Sequence, residues 1–118
     1  MELVSILVRT CERPQILREA LESIRKQTYP AIEVIVVEDG RNTAQNIETE
    51  FKDLNLKYKC TGERKGRVAA GNLAMSMASG SYLNFLDDDD YLLPEHVEIL
   101  MHALEKSQNK AAYAVAYE

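Results

Sequence analysis

Leu3-Val4-Ser5-Ile6-Leu7-Val8 is an almost unbroken apolar run rich in branched side chains, and Val34-Ile35-Val36-Val37 is a second. Both read as strands buried on two faces, the habit of a parallel sheet, because a strand with one wet face alternates apolar and polar residues. Between them Ile16, Leu17, Ala20, Leu21 and Ile24 recur at helical spacing, and Pro14 stands where the first turn of a helix tolerates it. The result is a strand-helix-strand unit. Outward from it the spacing predicts a polar helix from about Asn42 to Lys52, a short strand from Leu54 to Cys60 and a small-residue helix from Gly66 to Met77. A further strand runs from Tyr82 to Leu86, and a helix after Pro94 carries Val97, Leu100, Met101 and Leu104 on one face. Tyr113, Val115 and Tyr117 alternate with alanines in a terminal strand. Such alternation predicts an α/β fold: an open, mostly parallel, Rossmann-like sheet with helices on both faces.

The 118 residues carry 14 Lys+Arg against 19 Asp+Glu, a net charge of −5, and 46% of them are hydrophobic. That length fits a single domain over residues 1–118 that buries roughly two-thirds of its unfolded surface, a core that needs no disulfide or metal staple. Disorder, collagen and disulfide scaffolds are excluded. Net acidity without a basic stripe argues against a protein that grips nucleic acid by its phosphates. Cys11 and Cys60 have no C-x-x-C spacing and no histidine pair nearby, which argues against zinc and fits reduced thiols, one buried and one in a loop. The start, Met1-Glu2-Leu3, lacks the basic region of a signal peptide, and no apolar run approaches the ~20 residues of a membrane span. The expected location is cytoplasmic, with no membrane segment in this chain.

In open parallel sheets ligands sit at the carboxyl ends of strands, so the residues that follow each strand matter most. Arg9-Thr10-Cys11-Glu12-Arg13-Pro14 follows the first strand, Glu38-Asp39-Gly40 the second and Asp87-Asp88-Asp89-Asp90 the fourth. Four consecutive carboxylates repel one another, at about 1 kcal/mol for a pair ~4 Å apart even in water. A hard divalent cation, Mg²⁺ or Mn²⁺, accounts for such a run, since these ions take carboxylate, water and phosphate oxygens. A solvated acidic loop that favours the next helix through its dipole is the plainer account. Asp39 offers a carboxylate to a ribose hydroxyl or a base N–H, or simply forms an Asp-Gly turn. Gly62-Glu63-Arg64-Lys65-Gly66-Arg67 gives a flexible, cationic approach to a helix N-terminus, which suits a phosphate, although neither a P-loop nor a G-x-G-x-x-G spacing is present. His96 and His102 share the last helix and read as surface or packing residues, so nucleophilic hydrolase chemistry is disfavoured.

Taken in order, Val4-Ser5-Ile6-Leu7-Val8 with Thr10 and Arg13-Pro14, Gln27-Thr28-Tyr29-Pro30, Glu33 to Gly40, Gly66 to Asn72, and Gly80 to Tyr91 with Leu93-Pro94 resemble the family 2 glycosyltransferases of the GT-A fold. The resemblance spans nearly the whole chain. It implies a nucleotide-sugar donor, most often a UDP-sugar, and inverting transfer to an acceptor hydroxyl. By the same resemblance Thr10 and Glu12 belong to the donor segment, Arg67 to the donor site, and Asp39 to the nucleobase. Asp87 and Asp88 fall near ribose and metal, and Asp89 is the metal ligand. Three positions depart from the common pattern: Glu12 where many relatives have Asn, Glu38 where many have Asp, and Gly71 where many have Arg. Members of the family continue past the last strand here, so the catalytic base is expected beyond Glu118. The chain then reads as a donor-binding half, with membrane association of a full-length enzyme left open.

Three other readings compete. A phosphoacceptor receiver domain has a similar size and layering, but needs an acidic pair after the first strand and a Lys ending the fifth, where this chain has only Glu12 and then Tyr117-Glu118. A nucleotidyltransferase would carry a glycine-rich basic loop after the first strand, and Thr10-Cys11-Glu12-Arg13-Pro14 has no glycine. A degenerate domain would keep the fold as an interaction module without catalysis.

Overall fold

The computed structural model describes residues 1–107. The elements run β1 (Val4–Thr10), α1 (Pro14–Arg25), β2 (Ile32–Glu38), α2 (Ile47–Glu50), β3 (Asn55–Cys60), α3 (Arg67–Met77), β4 (Tyr82–Asp87) and α4 (His96–Ser107). The strand expected around Tyr113 to Tyr117 lies outside the described residues.

Among the described residues four strands form one sheet in the order β3-β2-β1-β4, every pairing parallel. A receiver-like sheet places β1 between β2 and β3, so this order removes that rival. Central β1 and β2 are buried almost throughout, as their unbroken apolar runs require, whereas β3 and β4, the outer strands among the described residues, alternate between more and less exposed positions. The larger core lies on the face where Ile6, Val8, Val34 and Val36 meet α1 and α4 through Leu17, Leu21, Val97 and Met101. Each fully buried aliphatic side chain there contributes about 1.5–3 kcal/mol. The opposite face presents Leu7, Ile35 and Val37 to Ala70 and Ala74 of α3. Small residues at this contact let the helix lie close to the sheet. No helix among the described residues is long and apolar enough to cross a membrane.

The sequence overstates one element. The helix expected from Asn42 to Lys52 shrinks to Ile47–Glu50. The cause is Glu38, wholly buried at the end of β2, whose carboxylate accepts the Thr43 N–H at 2.8 Å, the Ala44 N–H at 3.0 Å and the Tyr58 hydroxyl at 2.5 Å. These donors satisfy the buried charge and pin residues 43 and 44 in the loop ahead of α2. Burial and the Glu38 charge together push the Tyr58 phenol well above its usual range.

At the amino end of the sheet Glu33 plays a comparable part. It is 1% exposed and accepts hydrogen bonds from the Ser5 hydroxyl at 2.5 Å, the Ser79 N–H at 2.8 Å and the Ser79 hydroxyl at 2.7 Å, with Lys57 Nζ at 3.0 Å. Burial raises its pKa, but these donors outweigh it and bring the carboxyl down to about 2. The knot joins β1, β2, β3 and the turn before β4.

Candidate active site

The sheet order reverses between β1 and β4, which lie side by side with their carboxyl ends level: Arg9 pairs with Asp87 across β4, and Thr10 with Glu38 across β2. A crevice at such a switch point is where open α/β sheets bind ligands. Here it is a cleft of about 240 Å³, lined by Thr10, Arg13, Asp39, Arg67 and Asp87 to Asp89 among others. Complete small-molecule pockets measure ~300–1,000 Å³, so a ligand seated here stays partly uncovered.

The acidic run divides its labour. Asp87 ends β4, and the Asp90 N–H closes a turn onto the Asp87 carbonyl at 3.0 Å. Asp88 points inward. It is 3% exposed, accepts the Thr10 hydroxyl at 2.7 Å and the Arg13 Nε at 3.1 Å, and is closed by a second hydrogen bond from Arg13 Nη2. This bidentate pair raises the Arg13 pKa and ties the start of α1 to the end of β4. Arg13 sits at the helix N-cap and makes no side-chain cap there, its guanidinium being used across the cleft.

Asp87, Asp89 and Asp90 point outward instead, with one oxygen from each within 4.8 Å of the others. A set of three clustered carboxylate oxygens, exposed enough to admit water and phosphate oxygens, fits a hard divalent cation. The sequence reading placed Asp87, Asp88 and Asp89 around this point. The structure keeps Asp87 and Asp89 there and commits the Asp88 carboxylate to Thr10 and Arg13. Asp90 takes the third place, brought back toward Asp87 by a turn that residue spacing did not reveal.

Asp39 stands at the other side of the cleft, 9% exposed. Its carboxylate accepts the backbone N–H groups of Lys65 at 2.7 Å and Gly66 at 3.0 Å, and so fixes the loop that enters α3. Oδ1 also takes the Thr61 hydroxyl at 3.3 Å, whereas Oδ2 accepts only Gly66 and keeps lone-pair capacity for a further donor. The cationic loop expected at Gly62 to Arg67 thus reaches the cleft, and the Arg67 side chain, 75% exposed, lies 3.5 Å from Asp87.

Glu12 turns toward the loop after β2. Its carboxylate accepts Arg41 Nε at 2.7 Å and the Arg41 N–H at 3.2 Å, which lowers its pKa, and it does not line the cleft. Its backbone sits at φ 53°, an uncommon conformation for a residue with a Cβ, against Gly40, where an added Cβ would fall 2.6 Å from Glu12 Oε2. Cys11 and Cys60 are both free and half-buried, so the expected contrast between a buried and a loop thiol is absent. His96 packs its Nε2 3.1 Å from Asn84 Oδ1, and burial lowers its pKa, in keeping with a packing role. Arg9 and Arg13 went unassigned in the sequence although both flank Thr10. Their proximity to the acidic run depends on the β1–β4 pairing.

The sequence model described as glycosyl transferase family 2 matches residues 5–118. An Escherichia coli protein, UDP-Glc:alpha-D-GlcNAc-diphosphoundecaprenol beta-1,3-glucosyltransferase WfaP, is 30% identical over 118 residues, covering 99% of this chain and 47% of its own. The uncharacterized glycosyltransferase YwdF of Bacillus subtilis is 32% identical over 102 residues, 86% of this chain and 38% of its own. Among solved structures, residues 1–349 of S. aureus TarS in complex with UDP superpose with a TM-score of 0.82 at 29% identity, over 90% of this chain and 33% of that one. The mannosyltransferase PcManGT of Pyrobaculum calidifontis, in complex with GDP-Man and Mn²⁺, gives 0.69 at 29% identity over 76% of this chain and 28% of that one. The chain therefore spans less than half the length of these relatives. A parallel sheet in the order 3-2-1-4, a switch-point cleft edged by carboxylates and a match along nearly the whole sequence agree: the chain belongs to glycosyl transferase family 2, with the GT-A fold.

Proposed function

We propose that this chain binds the nucleotide-sugar donor, a UDP-sugar, of an enzyme that transfers the sugar to an acceptor hydroxyl with inversion. The observation that carries the reading is the outward trio Asp87, Asp89 and Asp90 at the β1–β4 switch point, in the same cleft as Asp39. Support comes from relatives: TarS has been solved with UDP and with UDP-GlcNAc, and the mannosyltransferase with GDP-Man and Mn²⁺.

In this reading Asp39 accepts a base N–H, and Asp87, Asp89 and Asp90 hold Mg²⁺ or Mn²⁺. Such an ion, when bound, stabilises the charge that develops on a departing diphosphate. The chain's own residues set the geometry. Asp88, clamped by Thr10 and Arg13, fixes the turn that carries the trio, and Arg67 adds positive charge at the diphosphate end. An inverting displacement also needs a carboxylate within hydrogen-bond reach of the acceptor hydroxyl. We assign that base to polypeptide beyond Glu118, since the relatives are more than twice as long, and expect the chain alone to bind donor without efficient transfer.

The test is calorimetric titration with UDP in excess Mn²⁺, with Asp89→Asn alongside. Saturable, metal-dependent binding that the substitution abolishes is the expected result. A folded wild-type chain that takes up no UDP would overturn the donor reading and favour a binding module that has kept only the fold.

A further inference from the structure

Arg9 has no role in the reading so far, yet it is the one guanidinium carried on the central strand β1 at the level of the acidic run. Its register partner on β4 is Asp87. The side chain is 26% exposed, with its guanidinium carbon 5.6 Å from the centroid of the Phe85 ring. Nη1 donates to the Arg67 carbonyl at 3.4 Å, and Nη2 to Asp87 Oδ1 at 3.4 Å. On the α3 side Gly71 leaves it room: a Cβ at position 71 would stand 3.6 Å from Nη1 and 3.7 Å from Cδ.

This is a pre-positioned cation with weakly held donors. Both hydrogen bonds lie at the long limit for N–H···O, whereas the Phe85 ring restricts where the head can go. A guanidinium offers five N–H donors in a plane, and those not aimed at Arg67 and Asp87 remain for a ligand in the cleft. Its partner Asp87 is also a member of the carboxylate trio. A divalent ion held by that trio would compete with Arg9 for the Asp87 carboxylate, leaving Arg9 donors free for an anion beside it.

Resting on the donor reading above, we infer that Arg9 is a ligand of the donor diphosphate, reached by exchange of its Asp87 contact for phosphate oxygens when the metal binds. The class of ligand follows from place. Arg9 stands with Asp87 at the metal end of the cleft, a strand away from Asp39, so it meets the diphosphate and not the base.

The experiment compares wild type, Arg9→Met and Arg9→Lys in two titrations, Mn²⁺ alone by water-proton relaxation and UDP in saturating Mn²⁺ by calorimetry. Arg9→Met is expected to lower UDP affinity about tenfold or more, the worth of one charge-assisted hydrogen bond, and Arg9→Lys by less. Mn²⁺ alone is expected to bind Arg9→Met as tightly as wild type or more tightly, because a competing cation has left Asp87. A residue that merely holds the fold would weaken both titrations together, and that outcome overturns the inference. Equal UDP affinity in wild type and Arg9→Met overturns it while leaving the donor reading intact. Failure of wild type itself to bind UDP with Mn²⁺ overturns both. Should Arg9→Met not fold, Arg9→Lys decides: weaker UDP with unweakened Mn²⁺ supports the role, and unchanged UDP refutes it.

Discussion

Replacing Glu33 by Gln tests whether a buried carboxylate remote from the cleft holds the sheet together. Three hydrogen bonds from Ser5 and Ser79, with Lys57 3.0 Å away, keep the carboxyl ionised at about 2 from an ordinary 4.5, even though burial pushes the other way. A folded pKa below the unfolded one means that the unfolded chain binds the proton more readily. The contribution is therefore complete above the unfolded value and is lost as pH falls toward the folded one. A depression of this size is worth about 3 kcal/mol at pH 7, at ~1.4 kcal/mol per unit, and about 2 kcal/mol of it is gone by pH 3. Glutamine keeps the shape but not the charge, and it turns an amide NH₂ toward donors that need an acceptor. Urea unfolding of wild type and Glu33→Gln at pH 7 and at pH 3 reads the effect directly, since other groups titrate equally in both. The variant is expected to be less stable by about 3 kcal/mol at pH 7, with the gap narrowing in acid. A gap below about 1 kcal/mol at pH 7, or one independent of pH, would falsify the linkage argument. UDP affinity at pH 7 and low temperature should not change, because Glu33 lies at the opposite end of the sheet.

Other substitutions separate the parts of the site. Asp88→Ala strips the partner from Thr10 and Arg13; with Arg13 45% exposed and able to regain water, the loss should be about 2 kcal/mol, below the 3–5 kcal/mol of a fully buried pair. The same variant should weaken metal-dependent UDP binding as the turn loosens, so full affinity in calorimetry would sink the clamp assignment. Gly80→Ala drives a Cβ to 2.5 Å from Ser5 Oγ and 2.8 Å from the Leu3 carbonyl and Ser5 nitrogen, backbone atoms that cannot move aside. A melting temperature lowered by several degrees is expected, from about 1–3 kcal/mol of overpacking, and an unchanged one would show that the strand-start geometry is softer than drawn. Asp89→Asn should leave unfolding almost untouched, as an exposed carboxylate in a like-charged cluster, while abolishing the Mn²⁺-dependent binding of UDP.

Sequence alone determined the layers. Unbroken apolar runs at Leu3 to Val8 and Val34 to Val37 specify strands covered on both faces, and helical periodicity at Leu17 to Ile24 and at Val97 to Leu104 specifies what covers one of those faces. These signals are local, so the burial follows wherever the strands pair. The polar clusters after each strand were equally plain, because a carboxylate beside an apolar run is conspicuous on the page. Only tertiary structure decided what each carboxylate does. Asp88 turns inward because Thr10 and Arg13, 78 and 75 residues away in sequence, wait across β1. Asp90 joins Asp87 and Asp89 because a turn folds back on the strand end, and Glu38 holds the Thr43 and Ala44 N–H groups in a loop where a longer α2 was expected. The partner each carboxylate finds depends on which strands become neighbours. That is a property of the assembled sheet order and not of any window of sequence.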